Sequence, residues 1–167
     1  MKPSTLFIDY HATTTGGRLD VEICVVSDLT DFLQESSDPV WGLEALPQTD
    51  LVPESVKYFK VDAMGLDFMR NTYTALYVKG NVEVKTFLSH YDSPESAKAI
   101  VSRYKDYANA YGEEVERQNV NGVELVSCDM GENYDIVIQK GQLVGGVLDV
   151  KDRDLAIQVA IDLWREL

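Results

Sequence analysis

The residue types that do acid–base chemistry come together at one place in this sequence, His90-Tyr91-Asp92. The three residues stand where an alternating run ends and a helix start signal begins. Such a junction places side chains at the end of a sheet, where an imidazole can act as a general acid or base beside a carboxylate. His90 and Asp92 are therefore the candidate catalytic residues, with Tyr91 or Arg70 assisting, although adjacent residues on a strand rarely face each other.

Aromatic side chains suggest a second kind of site. The chain has nine tyrosines, and Tyr73 and Tyr77 share one face of a predicted strand. Because tyrosine joins a large apolar body to one polar tip, these rings either fill a helix–sheet interface or line a cleft for a small apolar or planar ligand. In the second case Arg70, Tyr73, Tyr77 and Tyr91 are the ligand-binding candidates, with Arg70 near the mouth of the cleft.

Metal and cofactor chemistry has little support in the sequence. Two histidines cannot supply a three-histidine centre, and Cys24 and Cys128 lack the short spacings of structural zinc sites. The motifs of phosphate-binding loops, nucleophilic serines and zinc hydrolases are missing. We therefore expect no metal and no cofactor, and two buried, reduced cysteines rather than a disulfide.

Turn residues give the clearest structural signal. Four glycine-containing pairs each separate two alternating or apolar runs: Gly16-Gly17, Gly80-Asn81, Asn121-Gly122 and Gly141-Gln142. Asn-Gly is the strongest hairpin signal, because a type I′ turn needs positive φ at both central residues. The sequence therefore predicts four hairpins, one of them joining Glu114–Val120 to Val123–Cys128.

Helices are predicted after three of the hairpins. Ser93 and Pro94 form an N-cap followed by proline at the first helical position, Asp152 caps the last helix, and a shorter helix is predicted near Ser27 or Asp28. The order ββα, ββα, ββββα predicts an α+β fold, an antiparallel sheet with helices packed on one face, in a single domain over residues 1–167. The ββα units are either internal repeats or recurrences of a common motif.

One segment, residues 36–71, breaks this pattern. The stretch from Asp28 to Asp67 holds nine acids and two bases, so it contributes −7 of the net charge of −13. Long irregular segments in compact domains are either functional or disordered. Trp41, Tyr58 and other apolar residues favour packing, so we expect residues 36–71 to form an ordered, acidic covering loop over the sheet.

The overall charge excludes several classes of partner. The 167 residues include 28 acids and 15 bases with no basic run, which argues against nucleic-acid binding and against adsorption to anionic lipid. No apolar run approaches the roughly 20 residues that span a membrane. The expected partner is a small molecule or a protein. We expect a cytoplasmic location, or export if a leader has been removed, because an acid at Asp9 precedes any apolar signal region.

Three stretches carry a resemblance to a known family: Leu46–Phe59, Tyr73–Ala97 and Tyr134–Ala156. Together they resemble a family of uncharacterised bacterial proteins, catalogued as a domain of unknown function, over about residues 46–167. The shared motifs are those of packing and turns. The family has no assigned reaction, so the resemblance implies no site residue, and many of its members look exported.

Three hypotheses for function follow. The first is a soluble, non-catalytic binding or accessory domain that uses a cleft between the sheet and the covering loop, or the surface of that loop. The second is a small-molecule enzyme with His90 as general acid or base. The third is an interaction subunit that pairs with a partner at an exposed sheet edge, of which a homodimer is one form.

Overall fold

The structure, a computed structural model, describes the backbone of residues 9–15 and 18–24 and the whole of residues 41–167. The chain divides into two compact units, Met1–Pro39 and Val40–Leu167. In the first unit, strands β1 (Asp9–Thr15) and β2 (Arg18–Cys24) pair antiparallel, as predicted for the Gly16-Gly17 hairpin. The helix predicted near Ser27 or Asp28 lies outside the described residues, and the single domain over residues 1–167 stays a prediction.

The Val40–Leu167 unit combines seven strands with three helices. The strands are β3 (Lys57–Phe59), β4 (Thr72–Lys79), β5 (Val82–His90), β6 (Glu114–Val120), β7 (Val123–Asp129), β8 (Tyr134–Lys140) and β9 (Leu143–Val150). The helices are α1 (Trp41–Ala45), α2 (Pro94–Tyr111) and α3 (Arg153–Glu166), with one 3₁₀ turn at Ala63–Gly65. The strands form one antiparallel sheet in the order β3-β4-β5-β9-β8-β7-β6, which confirms the α+β class.

The hairpins follow from the turn residues. Between β6 and β7, Asn121 and Gly122 have φ of 55° and 86°, the pattern of a type I′ turn. Gly80 and Gly141 have φ of 65° and 61°, and each is the only turn residue of its pair with positive φ, as in type II′ turns. Each two-residue turn fixes the register of its hairpin. Residues 121–122 therefore determine which side chains of β6 and β7 lie on each face of the sheet.

Helix α2 begins where the capping signal predicts. The Ser93 hydroxyl oxygen accepts a hydrogen bond from the N–H of Ser96 at 3.1 Å, and Pro94 occupies the first turn, where its missing N–H costs nothing. Asp152 caps α3 in the same way, accepting from the N–H groups of Asp154 and Leu155. Both caps are confirmed.

Ser93→Ala should lower the free energy of unfolding by about 1 kcal/mol, because the substitution leaves a first-turn N–H of α2 without its acceptor. Ser102→Ala is the matched control on the same helix. The Ser102 hydroxyl only donates to the carbonyl of Lys98 on an exposed face, so its loss should not destabilise the unit. Urea unfolding of both variants measures the difference. Equal midpoints for the two variants would contradict the role given to the cap.

The two long helices pack on opposite faces of the sheet, which differs from the expectation of helices on one face. On β8, Val137 belongs to the core beneath α2, whereas Ile136 and Ile138 belong to the core beneath α3. Successive side chains of a strand point to opposite faces, so this continuous apolar run requires cover on both. The α2 face and the α3 face are named below by the helix that covers them.

The expected covering loop is a partly regular segment that wraps around the edge of the sheet. The described residues 41–71 contain α1, β3 and the 3₁₀ turn. Leu46 packs with Tyr73 and Tyr77 on the α3 face, whereas Phe68 and Met69 pack with the core on the α2 face. The segment therefore crosses from one face to the other around β4.

Candidate functional site

His90 and Asp92 are close in sequence but do not form an acid–base pair. His90 is the last residue of β5 and is exposed, and its ring lies 5.4 Å from the ring of Trp41. Among the described residues, the His90 ring makes no hydrogen bond or ion pair, and Asp92 contributes only its backbone oxygen, which accepts from the amide of Gln142 at 3.0 Å. Nothing described here orients the imidazole for proton transfer.

Tyr73 and Tyr77 lie in the interior of the α3 face. Their exposed fractions are 5% and 3%, and the hydroxyl of Tyr77 donates to the carbonyl of Pro47 at 2.9 Å. Burial, followed by the charge of Glu166, raises the pKa of Tyr77. A cavity of about 20 Å³ remains beside Tyr77, close to the room of one water. The wrapping segment therefore fills the aromatic cleft that the sequence suggested.

Arg70 and Tyr91 lie near each other, on the opposite face from those two rings. The hydroxyl of Tyr91 lies 3.8 Å from the sulfur of Met69, which is part of the core on the α2 face. Burial raises the pKa of Tyr91, while Ser89 and the exposed Arg70 act in the opposite direction. The four ligand-binding candidates are thus divided between two faces and do not line one site.

A buried carboxyl group, missed by the sequence analysis, lies under α2. Asp135 on β8 is 9% exposed, and one of its oxygens accepts from the Tyr104 hydroxyl at 2.8 Å. The other accepts from the backbone N–H of Asp149 at 2.8 Å. Strand β9 carries one extra residue opposite Asp135, and Asp149 has φ of 62°. Asp135 therefore satisfies the N–H that this β-bulge removes from the ladder.

The surroundings of Asp135 keep its neighbours unreactive. Burial raises the pKa of Asp135, and it also raises the pKa of Tyr104. Cys128 pairs with Asp135 across the sheet and is fully buried, and burial together with the charge of Asp135 raises its pKa to about 12. A protonated, enclosed thiol is a poor nucleophile. This cluster has a structural role, and Cys128 is buried and forms no disulfide with a described residue. The side chain of Cys24 lies outside the described part.

The two edges of the seven-stranded sheet differ. The β4 edge is closed: β3 pairs with Thr72–Thr74, and Asp50 and Val52 hydrogen bond to the backbone of Val78 and Leu76. At the other edge, β6 pairs with β7 and with no other described strand. Strand β6 is seven residues long, and its side chains are exposed or half-buried. Within the described part of the chain, the seven-stranded sheet thus has one long edge without a neighbouring strand.

The hairpin geometry shows which backbone groups that edge offers. Val120 and Val123 flank a two-residue turn and so form a hydrogen-bonded pair, and hydrogen-bonded and non-hydrogen-bonded pairs alternate along antiparallel strands. Val115, Arg117 and Asn119 fall in the non-hydrogen-bonded pairs. Their N–H and C=O groups therefore point away from β7, and these six groups form the open ladder of β6.

A groove on the α2 face lies between α2 and strands β7 and β8, and it reaches β6 at Arg117. It encloses about 200 Å³, and its floor is formed by the buried Val101, Val126 and Val137. Its polar lining comes from Lys98, Arg117, Glu124 and Gln139. A smaller cavity of about 70 Å³ flanks β6 on the α3 face, where Arg153 pairs with Glu116. The larger of these two cavities is therefore the one on the α2 face.

The sequence carried a partial signal for this edge. The run Glu114–Val120 is mostly polar and follows the end of a helix, but nothing in it shows that the strand is the last in the sheet. Strand order depends on long-range pairing. The groove depends further on where α2 crosses the sheet, which the spacing of its apolar residues does not give.

Comparisons of the chain with protein-family models, with curated proteins and with solved structures yield no match. The resemblance to an uncharacterised bacterial family over about residues 46–167 therefore stays a prediction. Among the described residues, no helix is long and apolar enough to cross a membrane, and no group of acids, histidines or cysteines is arranged to hold a metal ion.

Proposed function

We propose that the Val40–Leu167 unit is a non-catalytic binding domain that takes up an extended segment of a partner protein along β6. The observation that carries the proposal is the asymmetry of the sheet: the β4 edge is closed by the chain itself, while the ladder of β6 is open. An added strand would pair with the backbone groups of Val115, Arg117 and Asn119, the mode known as β-augmentation.

The composition of β6 suits selective pairing. Open apolar edges promote aggregation, and proteins protect such edges with charged side chains. Glu114, Glu116 and Arg117 supply such charges here. The pockets on the two faces supply room for alternate side chains of an added strand, which is how β-augmentation acquires specificity.

The other two hypotheses have less support in the geometry. The cavity beside Tyr77, which Pro47 and Thr49 line together with the sheet and α3, has a volume of only about 20 Å³, too little for a ligand of several atoms. His90 lacks described polar partners, so an enzyme built on it would need groups that the described region does not bring near. We further propose a protein partner rather than a nucleic acid, no cofactor and a cytoplasmic setting, in line with the excess of acids.

Arg117→Pro tests the pairing directly. Proline removes the N–H that points away from β7, and no hydrogen bond within the sheet is lost, so the unit should fold. A partner strand, however, loses one hydrogen bond and clashes with the proline ring. The probe is a phage-displayed library of random twelve-residue peptides, selected on the wild-type chain. Selected peptides should bind Arg117→Pro about tenfold more weakly or worse, a loss of roughly 1.4 kcal/mol, when measured by fluorescence polarisation.

Arg117→Ala is the matched control. It removes the same side chain but keeps the outward N–H, so backbone pairing should persist. Sedimentation of the wild-type chain adds an independent measurement, since a dimer that Arg117→Pro abolishes would assign the edge to a second copy. Two results would refute the proposal. One is a selection without binders combined with a monomeric wild-type chain. The other is a set of peptides that bind Arg117→Pro as tightly as the wild type.

A further inference from the structure

The groove beside β6 lies on the same face as the side chains of its open ladder. Arg117 stands opposite Val126, and Val126 lies in the core beneath α2. A partner residue that hydrogen bonds to Arg117 would stand directly opposite it, so its side chain would project on the α2 face. In antiparallel pairing, the partner residues opposite Val115 and Asn119 would do the same. Alternate side chains of an added strand therefore lie on the face that carries the groove, next to Arg117 at its β6 side.

The charged side chains that line the groove are mainly positive. Lys98 and Arg117 take part in none of the ion pairs formed by the described residues, whereas Gln139 already donates its amide to the carbonyls of Pro94 and Gly141. Glu124 is the only acid in the lining. The groove thus offers two uncommitted cations above an apolar floor, on a chain whose net charge is −13.

We propose that this groove selects a glutamate or aspartate side chain of the added partner strand, so that the partner is an extended segment with an acid on its groove-facing side. The inference rests on the proposed pairing at β6. The carboxylate of the acid would lie beside the guanidinium of Arg117, which stands between the added strand and Val126. The charge of Lys98, on the same face of the sheet, would also attract it. A wrong partner with a base at this position would meet like charge.

A second copy of the chain is a poor occupant of the same groove. In an antiparallel, two-fold pairing of β6 with β6, the side chains on the α2 face come from Val115, Arg117 and Asn119 of each copy, and none of these is acidic. Glu114 and Glu116 project on the opposite face. Such a dimer would bring Arg117 of one copy toward Lys98 of the other, which favours a different protein as partner.

The test uses a peptide library with one randomised position at each groove-facing site. Selection on the wild-type chain should enrich Glu and Asp at one of these sites. Binding of the selected peptides should fall roughly threefold to tenfold in Lys98→Glu, because an attraction is replaced by a repulsion. A peptide with Lys in place of its acid should regain affinity for Lys98→Glu. Lys151→Glu makes the same change of charge outside the groove lining and should leave binding unchanged.

The outcomes separate this inference from the proposed function. The groove assignment alone would be overturned by peptides that show no preference for acids and bind Lys98→Glu as tightly as the wild type. Such peptides would still bind the wild type and lose affinity for Arg117→Pro. Enrichment of basic or apolar side chains would likewise overturn the groove assignment. Peptides insensitive to Arg117→Pro, or the lack of any binder, would overturn both.

Discussion

Gly146→Ala should destabilise the Val40–Leu167 unit by about 3 kcal/mol, the upper end of the usual cost of overfilling a core. Gly146 lies on β9, between Phe87 of β5 and Val137 of β8. A β-carbon there would overlap the carbonyl oxygen of Ile136 and lie 2.9 Å from the ring of Phe87. Because the first obstacle is backbone, it cannot move aside without breaking the β8–β9 ladder.

Gly145→Ala is the matched control for this effect. Its β-carbon would lie 3.1 Å from the carbonyl oxygen of Phe87 and 3.3 Å from a terminal carbon of Leu88, contacts that small shifts can relieve. We expect a loss of about 1 kcal/mol for this neighbour. Urea unfolding followed by circular dichroism measures both variants. A urea midpoint for Gly146→Ala at or above that of Gly145→Ala would show that the sheet has room for a β-carbon at position 146.

Asp135→Ala should have a comparably large effect, a loss of about 3 kcal/mol, because it leaves one buried and one partly buried donor without acceptors. The donors are the hydroxyl of Tyr104 and the bulge N–H of Asp149. The alanine variant therefore tests whether the carboxyl group holds the bulge in place. A loss no greater than that of an exposed Asp→Ala change, such as Asp106→Ala on α2, would contradict this role.

The wild type should also become less stable relative to Asp135→Asn as pH rises. Burial raises the pKa of Asp135 in the folded chain above its unfolded value of about 3.9, so the folded state holds the proton more tightly. That stabilisation is complete below about pH 4 and is lost as pH rises through the folded pKa. The asparagine does not titrate, so the difference in unfolding free energy between the two chains isolates this group from the other carboxylates.

Tyr104→Phe adds a second comparison to the pH experiment, because it removes a group that lowers the pKa of Asp135. The Tyr104 hydroxyl lowers the pKa of Asp135, as does the positive charge of Lys85, whereas the charge of Asp149 raises it. Removing the hydroxyl should raise the pKa of Asp135 further and extend the loss of stability to higher pH. Unfolding midpoints between pH 4 and pH 8 for the three chains provide the measurement. Curves for wild type and Asp135→Asn that run parallel over this range would refute the account.

Local signals in the sequence were enough to predict much of the fold. Asn121-Gly122 fixes its turn through two positive φ angles, and Ser93 and Asp152 mark the starts of helices through hydrogen bonds to nearby N–H groups. Each of these features depends on residues within four positions of one another. Such features follow from short-range geometry and so are visible before any tertiary contact is known.

Long-range features were harder to foresee. The run Ile136-Val137-Ile138 indicates a strand buried on both faces, whereas the element order ββα, ββα, ββββα predicts helices on one face. Asp135, beside that run, carries no local signal of its role. Its role depends on a bulge in β9 and on Tyr104 in α2, and both are set by tertiary packing. The open ladder of β6 depends likewise on strand order.

The difference between the two sheet edges also limits the stoichiometry of any complex. Growth by strand addition into a fibre needs a donor edge on one molecule and an acceptor edge on the next. In the seven-stranded sheet, β4 is already hydrogen bonded over Thr72–Val78, and the outermost strand beyond it, β3, is only three residues long. Once β6 has received one strand, the seven-stranded sheet has no long edge of its own left. A single partner segment per seven-stranded sheet is the expected end point.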